Sequence, residues 1–307
     1  MKVPLTDFSG VVLVSRGEET LFAEAAGYAH IAYGVANTVG TRFAIASGTK
    51  GFTALAVVGL IAEGRLGLTT NAREVLGADL PLIDDGVTVE HLLTHTSGIG
   101  DYCDEAEDPP PTPLLATSAD YLAALDGYPQ KFPPGERFHY NNGAFAVLSL
   151  IAERIAGIPF AELVRTRVTE PAGMTDTAFL RSDALPARTA TGYLEDGRTN
   201  VFSLPVAGFG DGGIYSSAPD FRKFWPALLD SRIVPREWVG RMLRGERYGL
   251  GFWLPRPGVV RLEGGDHGVS FRSDHQPSSG VTATLISNDH RGGGPLLEQL
   301  GEFLTKA

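Results

Sequence analysis

The residues that follow Lys50 run Gly51-Phe52-Thr53-Ala54-Leu55-Ala56-Val57-Val58-Gly59-Leu60-Ile61-Ala62-Glu63-Gly64, apolar nearly all round. A helix without a polar face is a buried helix, so the rest of the chain has to be laid around it. Directly ahead stands Ser47-Gly48-Thr49-Lys50, at the point where the extended approach Phe43-Ala44-Ile45-Ala46 gives way to helix. Residues three apart share a helix face, so Ser47 and Lys50 can point into the same space. A serine hydroxyl is a poor nucleophile until a base takes its proton, and a lysine serves as that base once desolvation disfavours its ammonium form. Burial of this helix would supply the desolvation. The same four residues also read as a serine N-cap followed by a surface lysine.

A length of 307 residues accommodates one large domain or two smaller ones. With 43% hydrophobic and 20% charged residues, the composition is that of a globular protein. A net charge of −10 argues against a nucleic-acid partner, which would want a basic face, and favours solubility. The single cysteine, Cys103, excludes an internal disulfide, and no Cys/His cluster suggests zinc or another metal. The first residues are too short and polar for a signal peptide, and no run approaches the roughly 20 apolar residues of a membrane span. The expectation is a cytoplasmic protein without a membrane partner.

Along the chain, 10–14 and 20–25 read as a hairpin, 41–46 as a third extended piece, and 47–63 as the buried helix with Gly64 as its cap. Short helices are expected at 88–95, 118–125 and 144–156, the last with Val147, Leu148, Ile151 and Ile155 on one face. The helical pattern continues through 160–168 and closes at Pro171-Ala172-Gly173-Met174. A polar loop over 96–113 carries Pro109, Pro110 and Pro111, the kind of segment that often walls a site. From about 189 strands return, with 249–254, 259–262, 269–273 and 281–287 extended, a helix at 218–229 and a last one at 295–305. Strands at both ends with helices between imply one sheet built from both termini. The expected organisation is a single domain over 1–307, in which residues 1–65 and 200–307 form the α/β portion and residues 66–199 the helical lobe.

Two further clusters carry chemistry. In Gly135-Glu136-Arg137-Phe138-His139-Tyr140-Asn141-Asn142-Gly143, Tyr140 and Asn142 lie two apart and face one side of an extended loop. A tyrosine beside a lysine ammonium is a second candidate base, and an asparagine amide can bind Lys50 and a substrate carbonyl together. The alternative is an Asn-rich turn that caps the next helix. In Glu263-Gly264-Gly265-Asp266-His267-Gly268-Val269, the glycines let a substrate or another backbone approach closely. A backbone N–H there and that of Ser47, at a helix N-terminus, could bind an oxyanion. The alternative is a glycine-rich hairpin turn.

In this order and at these separations the clusters resemble the serine β-lactamase and penicillin-binding-protein superfamily, within it the class C-like β-lactamases, family VIII esterases and D-amino-acid peptidases. Ser47-Gly48-Thr49-Lys50 matches S-x-x-K and Tyr140-Asn141-Asn142 matches Y-x-N. His91-Leu92-Leu93-Thr94-His95-Thr96-Ser97-Gly98, Pro134-Gly135 and Gly210-Asp211-Gly212-Gly213-Ile214-Tyr215-Ser216 resemble accessory segments of the same superfamily. The resemblance implies a β-lactamase/transpeptidase-like fold of mixed α/β (α+β) class: an antiparallel sheet flanked by helices, with an inserted helical lobe. It implies a cofactor-free serine hydrolase working through an acyl-enzyme, with Ser47 as nucleophile and Lys50 and Tyr140 sharing the base role.

The third motif departs from the superfamily's K-T-G or H-x-G in two competing registers. Glu263-Gly264-Gly265 keeps two glycines but replaces the cation by an acid; His267-Gly268-Val269 keeps a histidine but loses the last glycine. Candidate substrate-binding residues are therefore Asn142, Glu263, Gly264, Gly265, Asp266 and His267. Either register lacks the lysine that recognises the carboxylate of penicillins and D-Ala-D-Ala peptides, which favours a small neutral or cationic ester or amide. The order of expectation is esterase, then D-amino-acid amidase or peptidase, then β-lactamase, with a non-turnover penicillin-binding sensor or inactive homologue from a different class. His91 and His95 have metal-pair spacing but Leu92 stands where a zinc-protease motif needs glutamate, so they read as packing residues. Cys103 has no evident base, and Tyr102, Tyr128, Tyr215 and Trp253 are candidates for an acyl pocket or for core.

Overall fold

In the computed structural model, residues 7–103, 114–294, 296, 297, 300 and 301 are described. Their strands are β1 (Gly10–Arg16), β2 (Glu19–Ala26), β3 (Tyr28–His30), β4 (Val35–Ala36), β5 (Arg42–Ala44), β6 (Ala178–Phe179), β7 (Ile214–Ser217), β8 (Trp253–Arg256), β9 (Val259–Asp266), β10 (Val269–Gln276) and β11 (Val281–Ser287). Their α-helices are α1 (Thr49–Ala62), α2 (Ala72–Leu76), α3 (Val89–Leu93), α4 (Ser118–Leu125), α5 (Asn142–Ala156), α6 (Phe160–Val164), α7 (Glu170–Ala172), α8 (Ala218–Leu229) and α9 (Arg236–Met242).

The main sheet is antiparallel with strand order β2-β1-β11-β10-β9-β8, so the two ends of the chain meet at its centre. Val11 lies opposite Ile286 and Leu13 opposite Thr284. Because side chains alternate between faces, Val11, Leu13, Leu262, Phe271 and Ile286 join the main core, whereas Val12, Val14, Ala283 and Leu285 pack with Leu296 and Leu300 on the opposite side. Both faces are thus covered, which explains why β1 and β11 are buried almost throughout. This is the antiparallel sheet flanked by helices that the sequence implies.

Helix α1 is enclosed as its composition requires: among its residues only Gly59 and Ala62 are not buried. Phe52 packs against Phe221 and Phe224 of α8 on one side, and α5 lies along the helix on another. Gly64, at φ 72°, ends it, with its N–H on Ile61 O. Between α6 and α7 the chain makes a π-helical turn, Arg165–Thr169, where a continuous helical pattern was expected.

Several elements differ from the sequence expectation. The segment 249–254 is a strand only from Trp253, because Gly251, at φ 83°, is pressed onto α1: a Cβ there would lie 2.3 Å from Ala54 Cβ. Residues 189–213 hold isolated bridges and a 3₁₀ turn, with the next strand, β7, pairing β5 and β6 in a separate three-stranded sheet. Helix α2, with its Asn71–Glu74 capping box, and helix α9 were not anticipated. Of the expected proline-rich loop, 104–113 lie outside the described residues, as do 295, 298, 299 and 302–305 of the expected last helix.

Candidate active site

Ser47 stands in a 3₁₀ turn, Ala46–Gly48, that leads into α1. The turn is tight enough to hold Ala46 at φ 44°, a left-handed conformation costing on the order of 1 kcal/mol in a residue with a side chain. It persists because both flanks are tied: Ile45 N–H donates to Ile214 O at 2.9 Å, and Ile214 N–H donates to Thr49 Oγ1 at 3.1 Å. One helical turn later Lys50, 2% exposed, makes three contacts through Nζ: Ser47 Oγ at 3.0 Å, Asn142 Oδ1 at 2.8 Å and Asp211 O at 2.8 Å.

The three partners are not equivalent. The amide oxygen and the backbone carbonyl can only accept, so they claim two lysine N–H groups in any protonation state. An ammonium then uses its third N–H on Ser47 Oγ. A neutral amine has no third proton and instead aims its lone pair at Ser47 Oγ–H, the arrangement a general base needs. In either state the geometry aligns Ser47 Oγ and Lys50 Nζ for proton exchange.

Asn142 is held for this task. Asn141 caps α5 by accepting from Ala144 N at 2.6 Å, and Asn142 is the first residue of the helix. Its N–H and that of Gly143 point at the fully buried Asp101, which accepts them at 2.6 and 3.3 Å. A carboxylate at a helix N-terminus is favoured by the helix dipole. Tyr140 lies on the other side of Lys50, its ring centroid 5.0 Å from Nζ. The ring is clamped between Trp253, at 5.9 Å and 13° interplanar angle, and His95, at 4.4 Å. His95 is itself packed against Phe145 and Tyr248. Its Nδ1 accepts from Asn141 N–H at 3.1 Å, so the ring proton is assigned to Nε2. Burial, and then nearby Lys50, hold its pKa well below the usual histidine range, so it is a neutral packing group. His91 Nδ1 accepts from Thr88 N–H instead.

The third cluster resolves its register. Gly264 of β9 runs against the nucleophile turn so closely that a Cβ would lie 2.3 Å from Ile45 O and 2.6 Å from Ser47 N. Glu263-Gly264-Gly265 therefore flanks Ser47, while His267 and Gly268 form the turn into β10. Glu263 does not line the pocket: its carboxylate meets Arg261 at 3.3 Å, and Arg261 in turn grips buried Asp274. Gly265, Asp266 and His267 do line it, together with Ser47 and Asn142.

The pocket has a volume of about 730 Å³. Tyr102 and Tyr215 form part of its wall, whereas Trp253 is spent on Tyr140 and Tyr128 faces elsewhere. Two acids line it. Asp211, half-buried, accepts from Tyr102 Oη at 2.6 Å; burial raises its carboxyl and Lys50 opposes that. Burial and the same acid push the Tyr102 hydroxyl well above its usual range, keeping it a donor. Asp266 accepts from His267 N–H at 2.7 Å and keeps an exposed side chain, yet desolvation by the walls raises its carboxyl, with Asp211 adding to the rise. The Cys103 thiol, also on the wall, is pushed up by burial and by Asp211 and Asp101, so it has no thiolate character.

Ser47, Asn142, Gly265, Asp266 and His267 thus line one pocket, Lys50 and Gly264 lie against Ser47, Tyr140 lies beside Lys50, and Glu263 is turned away. Sequence reasoning missed Asp101 and Asp211 as site residues. The available signal was an acid set among glycines, in Gly100-Asp101 and in Gly210-Asp211-Gly212. Among the described residues no cluster of His, Cys, Asp and Glu could hold a metal ion.

Residues 5–291 match the family model described as Beta-lactamase. Esterase EstB of Burkholderia gladioli is 30% identical over 338 residues, a match spanning 91% of this chain and 85% of that one. The crystal structure of a penicillin binding protein from Bacillus halodurans superposes with a TM-score of 0.91 at 36% identity, covering 99% of this chain and 100% of that chain. A D-stereospecific amidohydrolase from Streptomyces sp. superposes at 0.77 with 25% identity, covering 92% and 90%.

Proposed function

This chain belongs to the β-lactamase family of hydrolases, and from that premise we propose that it is a serine hydrolase acting on small esters or amides through an acyl-enzyme. The reading rests on one observation: the buried Lys50 amine is held by Asn142 Oδ1 and Asp211 O so that its remaining position faces Ser47 Oγ at 3.0 Å.

In the first step Ser47 Oγ attacks the substrate carbonyl while its proton passes to neutral Lys50. The oxyanion that forms is held by Ser47 N–H and by a backbone N–H of Gly265 or Asp266, the two segments that Gly264 keeps in contact. Collapse breaks the bond to the alcohol or amine, which leaves with a proton returned by Lys50 and Tyr140. Water then attacks the acyl-enzyme, giving its proton to the same pair, and Ser47 is released with the carboxylic acid. The position of the Tyr140 ring, clamped by Trp253 and His95 with its centroid 5.0 Å from Nζ, supports a share in this exchange. The absence of a lysine or arginine on the described pocket wall, and the diversion of Glu263 to Arg261, support neutral or cationic substrates over anionic ones.

The test is hydrolysis of p-nitrophenyl acetate and butyrate together with fluorophosphonate labelling located by mass spectrometry. Labelling at Ser47, and a loss of about 10³-fold or more in kcat/KM in Ser47→Ala, are expected. A Ser47→Ala protein with undiminished activity removes the proposal. Labelling without turnover would identify a sensor instead.

A further inference from the structure

The pocket beside Ser47 carries a charge pattern that the acyl-transfer chemistry does not use. Asp211 and Asp266 come from separate segments, the turn before β7 and the end of β9, yet both line the same 730 Å³ space, and Asp266 lies close enough to feel the charge of Asp211. Among the described residues neither carboxylate is joined to a cation in an ion pair: Asp211 accepts from Tyr102 Oη and from backbone N–H groups of its own turn, and Asp266 accepts from the N–H of His267. The cations nearby are committed elsewhere. Lys50 Nζ is held by Ser47, Asn142 and the Asp211 carbonyl, so it reaches the two carboxylates only through space; Arg261 is taken by Asp274 and Glu263; Arg198, in the adjoining groove, is taken by Asp196. Two carboxylates that share one pocket wall and repel one another are relieved by a positive charge placed between them. The Tyr102, Tyr121 and Tyr215 rings of the same wall suit an ammonium as well.

We propose that this pocket selects substrates bearing an ammonium group, which Asp211 and Asp266 hold while Ser47 attacks the ester or amide carbonyl. The proposal rests on the serine-hydrolase reading and names the substrate class of that same site. The bond chemistry is unchanged; the ammonium is bound and not transformed.

The ammonium belongs either to the acyl group or to the leaving group, and isosteric pairs separate the two. Alanine methyl ester, in both enantiomers, is compared with methyl isobutyrate; 2-(dimethylamino)ethyl acetate is compared with 3-methylbutyl acetate. A pH-stat assay at pH 7.5 is expected to show at least a tenfold preference in kcat/KM for the cationic member of one pair. That ratio should fall toward one in Asp266→Asn and in Asp211→Asn. Asp266 sits at an exposed turn, so its variant remains informative if loss of the Tyr102 contact unfolds the other. A second measurement avoids turnover: calorimetric titration of Ser47→Ala with alaninamide and isobutyramide, and with 2-(dimethylamino)ethanol and 3-methylbutanol, is expected to detect only the cations. Equal treatment of cationic and neutral members in both assays, or a preference that survives both substitutions, overturns the proposal. If Ser47 takes the fluorophosphonate label while no cationic preference exists, the hydrolase reading stands and this inference alone fails.

Discussion

Adding one methyl group at Gly264 should separate the nucleophile turn from strand β9, and its neighbour Gly265 provides the control. A Cβ at Gly264 meets Ile45 O at 2.3 Å, Ser47 N at 2.6 Å and Gly48 N at 2.8 Å, all backbone atoms that cannot rotate aside. Reaching an ordinary contact distance of 3.4 Å from the carbonyl requires the two segments to part by about 1 Å. Overpacking of this kind costs roughly 1–3 kcal/mol of stability. The same displacement pulls the β9 N–H away from the oxyanion position, and losing one such donor costs about 10²–10³ in kcat. Gly264→Ala is therefore expected to lower Tm by several degrees and kcat/KM for p-nitrophenyl butyrate by at least about 100-fold, with fluorophosphonate labelling slowed in step. At Gly265 a Cβ meets nothing within 4 Å, so Gly265→Ala should keep the wild-type Tm and lose less than about tenfold. The assays are thermal unfolding, steady-state hydrolysis and labelling rate on the same preparations. A Gly264→Ala enzyme within twofold of wild type, or a Gly265→Ala enzyme that is the more damaged of the two, would refute the argument that this contact builds the oxyanion site.

Asn142→Ala removes one of the two acceptors that orient the Lys50 amine and should cost about 10–100-fold in kcat with little change in Tm, measured on short-chain p-nitrophenyl esters. Trp253→Leu releases one side of the Tyr140 clamp and is expected to lower kcat more than it raises KM, which a KM-against-kcat comparison reads directly. Buried His275, stacked on Trp225 and lowered by desolvation from 6.5 to about 4, titrates in the unfolded chain first. Its neutral form therefore stabilises the fold fully above pH 6.5, and that contribution, up to about 3 kcal/mol, is lost as pH falls toward 4. Urea unfolding of His275→Gln between pH 7 and 4.5 should show a shallower loss of stability than wild type; identical slopes would rule this contribution out.

What was legible in the sequence was what is local. Ser47 and Lys50 are one helical turn apart, Tyr140 and Asn142 two residues apart, and in both cases spacing alone places them together. The bounds of β11, α4 and α8 follow from unbroken apolar runs or helical periodicity between clear breakers. The register of the third motif was not legible, because Glu263-Gly264-Gly265 and His267-Gly268-Val269 differ only in which glycine meets the Ser47 turn, a contact across more than 200 residues. Asp101 and Asp211 escaped for the same reason: each is an ordinary loop acid until α5 and Tyr102 are placed beside it. The segment before β8 misled because its glycines serve close packing, Gly251 on α1 and Gly249 on the end of α9, which in sequence is indistinguishable from a strand entry.

The pairing of β1 with β11 also orders events in time. Residues 10–16 find their partners in 281–287, so this pairing closes only after the more than 260 residues between them have been made. The Ser47 turn and α1 are made early in synthesis, but the strand that flanks the nucleophile comes from the last fifth of the sequence. Long-range closure of this kind slows folding, and it leaves the side of α1 at Gly51, which meets Leu262, uncovered until β9 is made. A chain shortened before β9 would hold Ser47 and Lys50 at their proper spacing and still have no oxyanion site to serve them.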